Sequence, residues 1–183
     1  GISSWLYITK YDGITGGNYY PFDWAAPLAK GSWGGVGGWS VLIDRKPSDA
    51  RLGMYLNGDP VFSSNFNLNL NEWFSFFITR SNNQLTFYRN GNVLGTQVTT
   101  SQGNATGTGK FSVGKSDHQT HTYHFPGKIS DVRIYNRALS ATEVAALYQL
   151  ETTPPSQAPV FAKTNATFTT AENNASANFV VTA

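Results

Sequence analysis

The sequence predicts an all-β fold: an antiparallel β-sandwich with one short C-terminal helix, then a linker and a partial β-sandwich repeat. Three observations predict it. Aromatic residues make up 14% of the 183-residue chain and glycine occurs 18 times, a composition suited to strands joined by tight turns. The run Trp73–Thr79 places Trp73, Ser75, Phe77 and Thr79 on one face and Phe74, Phe76 and Ile78 on the other, so both faces are aromatic and the strand reads as central and covered on both sides. The only strong helix signal comes late, where Ser140-Ala-Thr-Glu143 forms a capping box.

The elements follow in order. Trp5–Thr9 is a short aromatic and β-branched strand. Trp39–Ile43 follows a glycine-rich loop, and Leu52–Leu56 ends at the turn-like pair Asn57-Gly58. Trp73–Thr79 turns through Asn82-Asn83 into Leu85–Arg89, which runs into Asn90-Gly91, a dipeptide suited to the positive φ angles of a type I′ hairpin. Val93-Leu94 completes a three-stranded meander. Lys110–Gly114 and Ile129–Tyr135 add two strands. In the helix, Leu139 and Val144 occupy the positions of a hydrophobic staple, and Ala145, Ala146, Leu147 and Leu150 continue one packed face. Thr152–Pro159 is a proline-rich, stiff linker, and 160–183 form two short strands too few to close a core of their own.

Composition excludes several classes. Charged residues are 13% of the chain and the net charge is +2, with no basic run, which argues against a nucleic-acid partner. There is no cysteine, so thiolate metal sites, redox motifs and disulfides are excluded. No segment approaches the roughly 20 consecutive apolar residues of a membrane-spanning helix.

The meander, the Phe125-x-Gly127 turn and the run Gly127-Lys-Ile-Ser-Asp-Val-Arg-Ile-Tyr-Asn-Arg-Ala-Leu-Ser140 resemble the closing half of laminin-G-like (concanavalin A-like) domains. The resemblance covers roughly residues 1–150 and implies that the sandwich is a jelly roll spanning 1–151. Family members begin with further strands, one of which pairs near the closing strand, so the resemblance implies that N-terminal strands lie outside this sequence and leave a sheet edge open. The tail, Pro159-Val-Phe161 through Glu172-Asn173 to Phe179-Val-Val-Thr-Ala183, is similar to the opening strands of a cadherin-like repeat, giving a third segment at 160–183 after the linker at 152–159.

Glycosidases on this kind of sandwich need two carboxylates facing each other across the sugar. The four glutamates, Glu72, Glu143, Glu151 and Glu172, form no such cluster: Glu143 is explained by capping, and Glu151 and Glu172 fall in linker or tail. No enzyme is expected. His118, His121 and His124 invite a metal reading, but a spacing of three points to opposite faces of a strand, so Tyr123 and His124 read better as polar or sugar-contacting residues. Tyr19, Tyr20 and Trp33 lie in glycine-rich stretches, where exposed rings can serve as platforms for the apolar faces of sugars; the plainer reading is core filling under a loop, the role expected of Trp39. By resemblance, Asp131 is the candidate ligand of a calcium ion, against the plainer reading of a solvated aspartate beside Arg133; calcium needs six to eight oxygens, so one carboxylate requires further donors.

The expected function is therefore a non-catalytic adhesion or carbohydrate-binding module of a larger extracellular, secreted or surface protein, with a glycan or a neighbouring surface protein as partner. The alternative is a subunit of a surface filament or sheath, a homo-oligomer assembled by pairing of sheet edges. A third reading is an ancillary domain of a polysaccharidase.

Overall fold

A computed structural model describes residues 1–11, 25–31, 37–44, 47–57, 59–98, 107, 109–117 and 122–152. Along them run β1 (Ile2–Ile8), β2 (Ala25–Lys30), β3 (Trp39–Asp44), β4 (Arg51–Leu56), β5 (Asp59–Phe62), β6 (Trp73–Ser81) and β7 (Gln84–Arg89). They are followed by β8 (Asn92–Val98), β9 (Phe111–Val113), β10 (Lys115–Asp117), β11 (Thr122–His124), β12 (Gly127–Ile134) and α1 (Ala141–Thr152). Two five-stranded sheets result, the first in the order β12-β1-β6-β7-β8 and the second in the order β5-β4-β3-β2-β9, with β10 and β11 paired as a separate hairpin. Every pairing is antiparallel. The architecture is the jelly-roll sandwich expected. Of the linker expected at 152–159, Thr152 ends α1; residues 153–159 and the tail at 160–183, with its cadherin-like expectation, lie outside the described residues.

The alternation read in β6 is observed. Phe74, Phe76 and Ile78 are buried between the sheets with Leu6, Ile8, Leu28, Val41, Ile43, Leu52, Leu85 and Phe87. Phe77 on the opposite face is buried by α1, in a second cluster with Tyr88, Leu139 and Val144. The β7–β8 hairpin turns through Asn90 (φ 50°) and Gly91 (φ 76°), the pair of positive angles that a type I′ turn requires.

Ile2–Ile8 itself pairs along β12 on one side and β6 on the other, so the place beside the closing strand that the resemblance assigned to residues upstream is held by β1. The apolar positions Ile2, Leu6 and Ile8 face the core, and β1 is flanked on both sides, with β12 outermost in this sheet among the described residues. Strand β2 was not expected, because Ala-Ala-Pro-Leu-Ala-Lys has little strand propensity. Its proline lies within a register shift between Ala25 and Leu28, where the missing amide disturbs no ladder bond, and the Pro27 carbonyl still accepts from Gly114 N–H at 2.7 Å.

Candidate functional site

The helix is set on the first sheet by the features read in its sequence. Ser140 N–H donates to Glu143 Oε2 at 2.8 Å and Glu143 N–H donates to Ser140 Oγ at 3.3 Å, the reciprocal pair of a capping box. Leu139 and Val144 are both buried, closing the staple. Arg137 adds a two-pronged contact to the Glu143 carboxylate at 2.7 and 3.1 Å. The hydrogen bonds from Arg137, then those from Ser140, hold the Glu143 carboxyl down to about 2 from its ordinary 4.5.

Fixed in this way, α1 covers only part of the outer face of the first sheet. Beyond it, β1, β6 and β12 carry a row of aromatic and polar side chains. Tyr7 and Trp73 are cross-strand partners, with ring centroids 5.4 Å apart. The Lys128 ammonium stands 5.0 Å from the centroid of the Tyr7 ring. Trp5 is held against the helix: its ring stacks on Tyr148 at 5.8 Å and 22°, and its indole N–H donates to Glu151 Oε2 at 2.6 Å. The other Glu151 oxygen accepts from the Arg133 guanidinium. Gly91 makes room for this stack, since a Cβ there would lie 3.0 Å from the Tyr148 ring.

A bulge in β12 completes the wall. Ser3 pairs with Arg133 and Trp5 with Ser130, so two steps along β1 are matched by three along β12, and Asp131 takes the left-handed φ of 52°. Ile129 and Val132 on either side pack on the inter-sheet core, which leaves Ser130 and Asp131 together on the open side. The Ser130 hydroxyl donates to Asp131 Oδ2 at 2.6 Å. The result is an open groove of about 630 Å³ lined by Trp5, Trp73, Ser130, Asp131, Arg133 and Glu151, with the end of α1 as one bank. Trp73 is 44% exposed.

Of the residues singled out from sequence, Asp131 lies in this groove. His124 is exposed at the end of β11, opposite Lys115, and is not among the groove's lining residues; Tyr123 lies on the same strand, opposite Ser116. Tyr19, Tyr20 and Trp33 lie outside the described residues. Trp39 is half-buried and packs against the core, as expected. Sequence reading missed Trp5, Trp73, Arg133 and Glu151. Glu151 had been placed in the linker, whereas it sits in the last turn of α1, three residues after Tyr148 and on the same helix face.

The calcium expectation meets an incomplete donor set. Among the described residues no three His, Cys, Asp or Glu side chains converge, and the Asp131 carboxylate is accompanied by one serine hydroxyl. That falls well short of the six to eight oxygens calcium takes.

A protein-family model described as the concanavalin A-like lectin/glucanases superfamily, of the laminin-G type, matches residues 2–145. The chain belongs to this superfamily. Solved structures agree in fold. The native heptameric SAP-like pentraxin from Limulus polyphemus superposes with a TM-score of 0.65 at 13% identity, covering 80% of this chain and 68% of that one. The CBM40 of the Ruminococcus gnavus IT-sialidase, bound to α2,3-sialyllactose, gives 0.61 at 15% identity and 80% coverage of both chains. Domain 4 of AbnA, a GH43 extracellular arabinanase from Geobacillus stearothermophilus in complex with arabinotriose, gives 0.59 at 14% identity, covering 81% and 65%. No curated protein sequence matches the chain. At these identities the neighbours show the fold alone. No helix among the described residues is long and apolar enough to cross a membrane.

Proposed function

We propose that this laminin-G-type domain is a non-catalytic carbohydrate-binding module of a larger extracellular protein, and that it binds glycans in the groove between β12 and α1. The observation that carries the reading is Trp73: a large aromatic ring left 44% exposed on an ordered central strand, beside Ser130, Asp131 and Arg133. Stacking of a sugar's C–H face on an indole, with hydroxyls hydrogen-bonded by carboxylate and guanidinium neighbours, is the usual chemistry of such sites. Membership of a superfamily that includes lectins supports it, as do neighbours of the same fold solved with sialyllactose and arabinotriose.

The non-catalytic part of the proposal rests on Glu151. Asp131 and Glu151 share the groove, but both Glu151 oxygens are engaged, one by the Trp5 indole and one by Arg133. A carboxyl group with both oxygens committed as acceptors is poorly placed to give a proton to a leaving group.

A glycan array with the 183-residue chain, run with and without chelator, followed by titration of the best ligand, tests the proposal. Trp73→Ala is expected to abolish detectable binding, while Trp33→Ala and His124→Ala leave it nearly unchanged; loss with Trp33 or His124 instead would move the site to the loop residues Tyr19, Tyr20, Trp33, Tyr123 and His124. Chelator sensitivity would restore calcium at Asp131. Release of new reducing ends from any bound oligosaccharide would overturn the non-catalytic reading. A second reading, assembly by strand pairing, draws on β8, which ends its sheet among the described residues and exposes Val93 and Val98; sedimentation showing only monomer for the parent protein removes it.

A further inference from the structure

We infer that the groove selects uncharged sugars and discriminates against carboxylated ones, an inference that rests on the groove being the glycan site. Among the described residues, the charges that line it are Asp131, Glu151 and Arg133, which sum to −1. Among the described lining residues Arg133 is the only cation, and its guanidinium already donates to Glu151, so it presents little positive charge to an incoming anion. Asp131 is exposed, and the bulge turns it to the open side.

The helix adds to this. Glu151 and Thr152 are the last residues of α1, whose final turn contains no basic residue, and both line the same groove, so the negative end of the helix dipole lies on its bank. Lys128, the cation above the Tyr7 ring, is not one of the lining residues and stands at the far side of the aromatic row from α1. A carboxylated sugar stacked on Trp73 therefore meets the Asp131 carboxylate and the negative end of the helix dipole, both of its own sign. A neutral sugar meets the same groups as hydrogen-bond acceptors for its hydroxyls.

Matched probes separate charge from shape. Galacturonate oligomers and their methyl esters present the same ring faces and hydroxyls, and lactose against α2,3-sialyllactose adds a second pair. Titration calorimetry on the full chain is expected to show the ester bound at least about fivefold tighter than the acid, in keeping with the modest worth of partly exposed charge pairs. Added salt should narrow that ratio by screening the repulsion. Asp131→Asn should narrow it too, and asparagine tolerates the left-handed φ of 52°, so the bulge is kept. Equal or tighter binding of the acid, or a ratio that ignores both salt and Asp131→Asn, overturns the inference. If the acid binds at least as tightly as the ester and Trp73→Ala abolishes that binding, the groove stands and the charge argument alone falls. If no probe or array glycan binds through Trp73, the groove reading fails and takes this inference with it.

Discussion

Strand β6 presents two halves of one face to two different environments. At its middle Phe77 is 3% exposed, locked with Tyr88, Leu139 and Val144 beneath α1. Four residues earlier, on the same side of the sheet, Trp73 is 44% exposed, touching Tyr7 and facing the groove. The helix could have covered both rings only by running further along the sheet; instead its last turn stops beside Trp5 and becomes a bank of the groove. Apolar area under the helix has a structural reason to exist. The open ring contributes little to the core, and its exposure on a central strand is what the proposed glycan contact draws on.

The sharpest way to break this contrast is to truncate both rings. Phe77→Ala should cost about 3–5 kcal/mol, as expected for an aromatic side chain lost from a sealed cluster. Urea unfolding measures it, and a loss below about 1 kcal/mol would mean that α1 does not seal this half of the sheet. Trp73→Ala should cost only about 1 kcal/mol, roughly the worth of its ring pairing with Tyr7, while removing glycan binding. A destabilisation as large as that of Phe77→Ala would make Trp73 a core residue and leave the groove without its platform.

How much of this was legible beforehand depends on how local each signal is. The β6 alternation, the Asn90-Gly91 turn and the Ser140–Glu143 box each lie within a few residues, and each is found in the structure where it was read. Strand β2 was hidden because Pro27 and three alanines carry a strand only by virtue of a register shift and two neighbours, β3 and β9. The groove was hidden for a related reason. Trp5, Trp73, Asp131 and Glu151 come from four elements, so no spacing in the chain brings them together. Asp131 was noticed as a residue, but its exposure depends on one extra residue in β12 relative to β1, a mismatch visible only once the two strands are paired. Glu151 looked like the start of a linker because a helix end shows in sequence by its cap, and this one has no terminal glycine to mark it.

The smallest expected effects test whether the cover of the buried half can be loosened while the open half is left alone. Ser140→Ala removes the N-cap and should cost about 1 kcal/mol, with glycan affinity unchanged, since the groove meets α1 at its other end. The same cap carries a pH dependence of defined sign. Glu143 is held down to about 2 in the folded chain against an ordinary 4.5, so between those values the unfolded chain binds the extra proton and stability rises with pH. The contribution is complete above about 4.5 and disappears as pH falls through about 2. Glu143→Gln keeps a side chain that can still reach back to the Ser140 amide but cannot titrate. Its urea midpoint should therefore decline less steeply than that of the parent chain across this window. Parallel declines would show that the box is too solvent-screened to couple to folding, and that Leu139 and Val144 hold the helix in place without it.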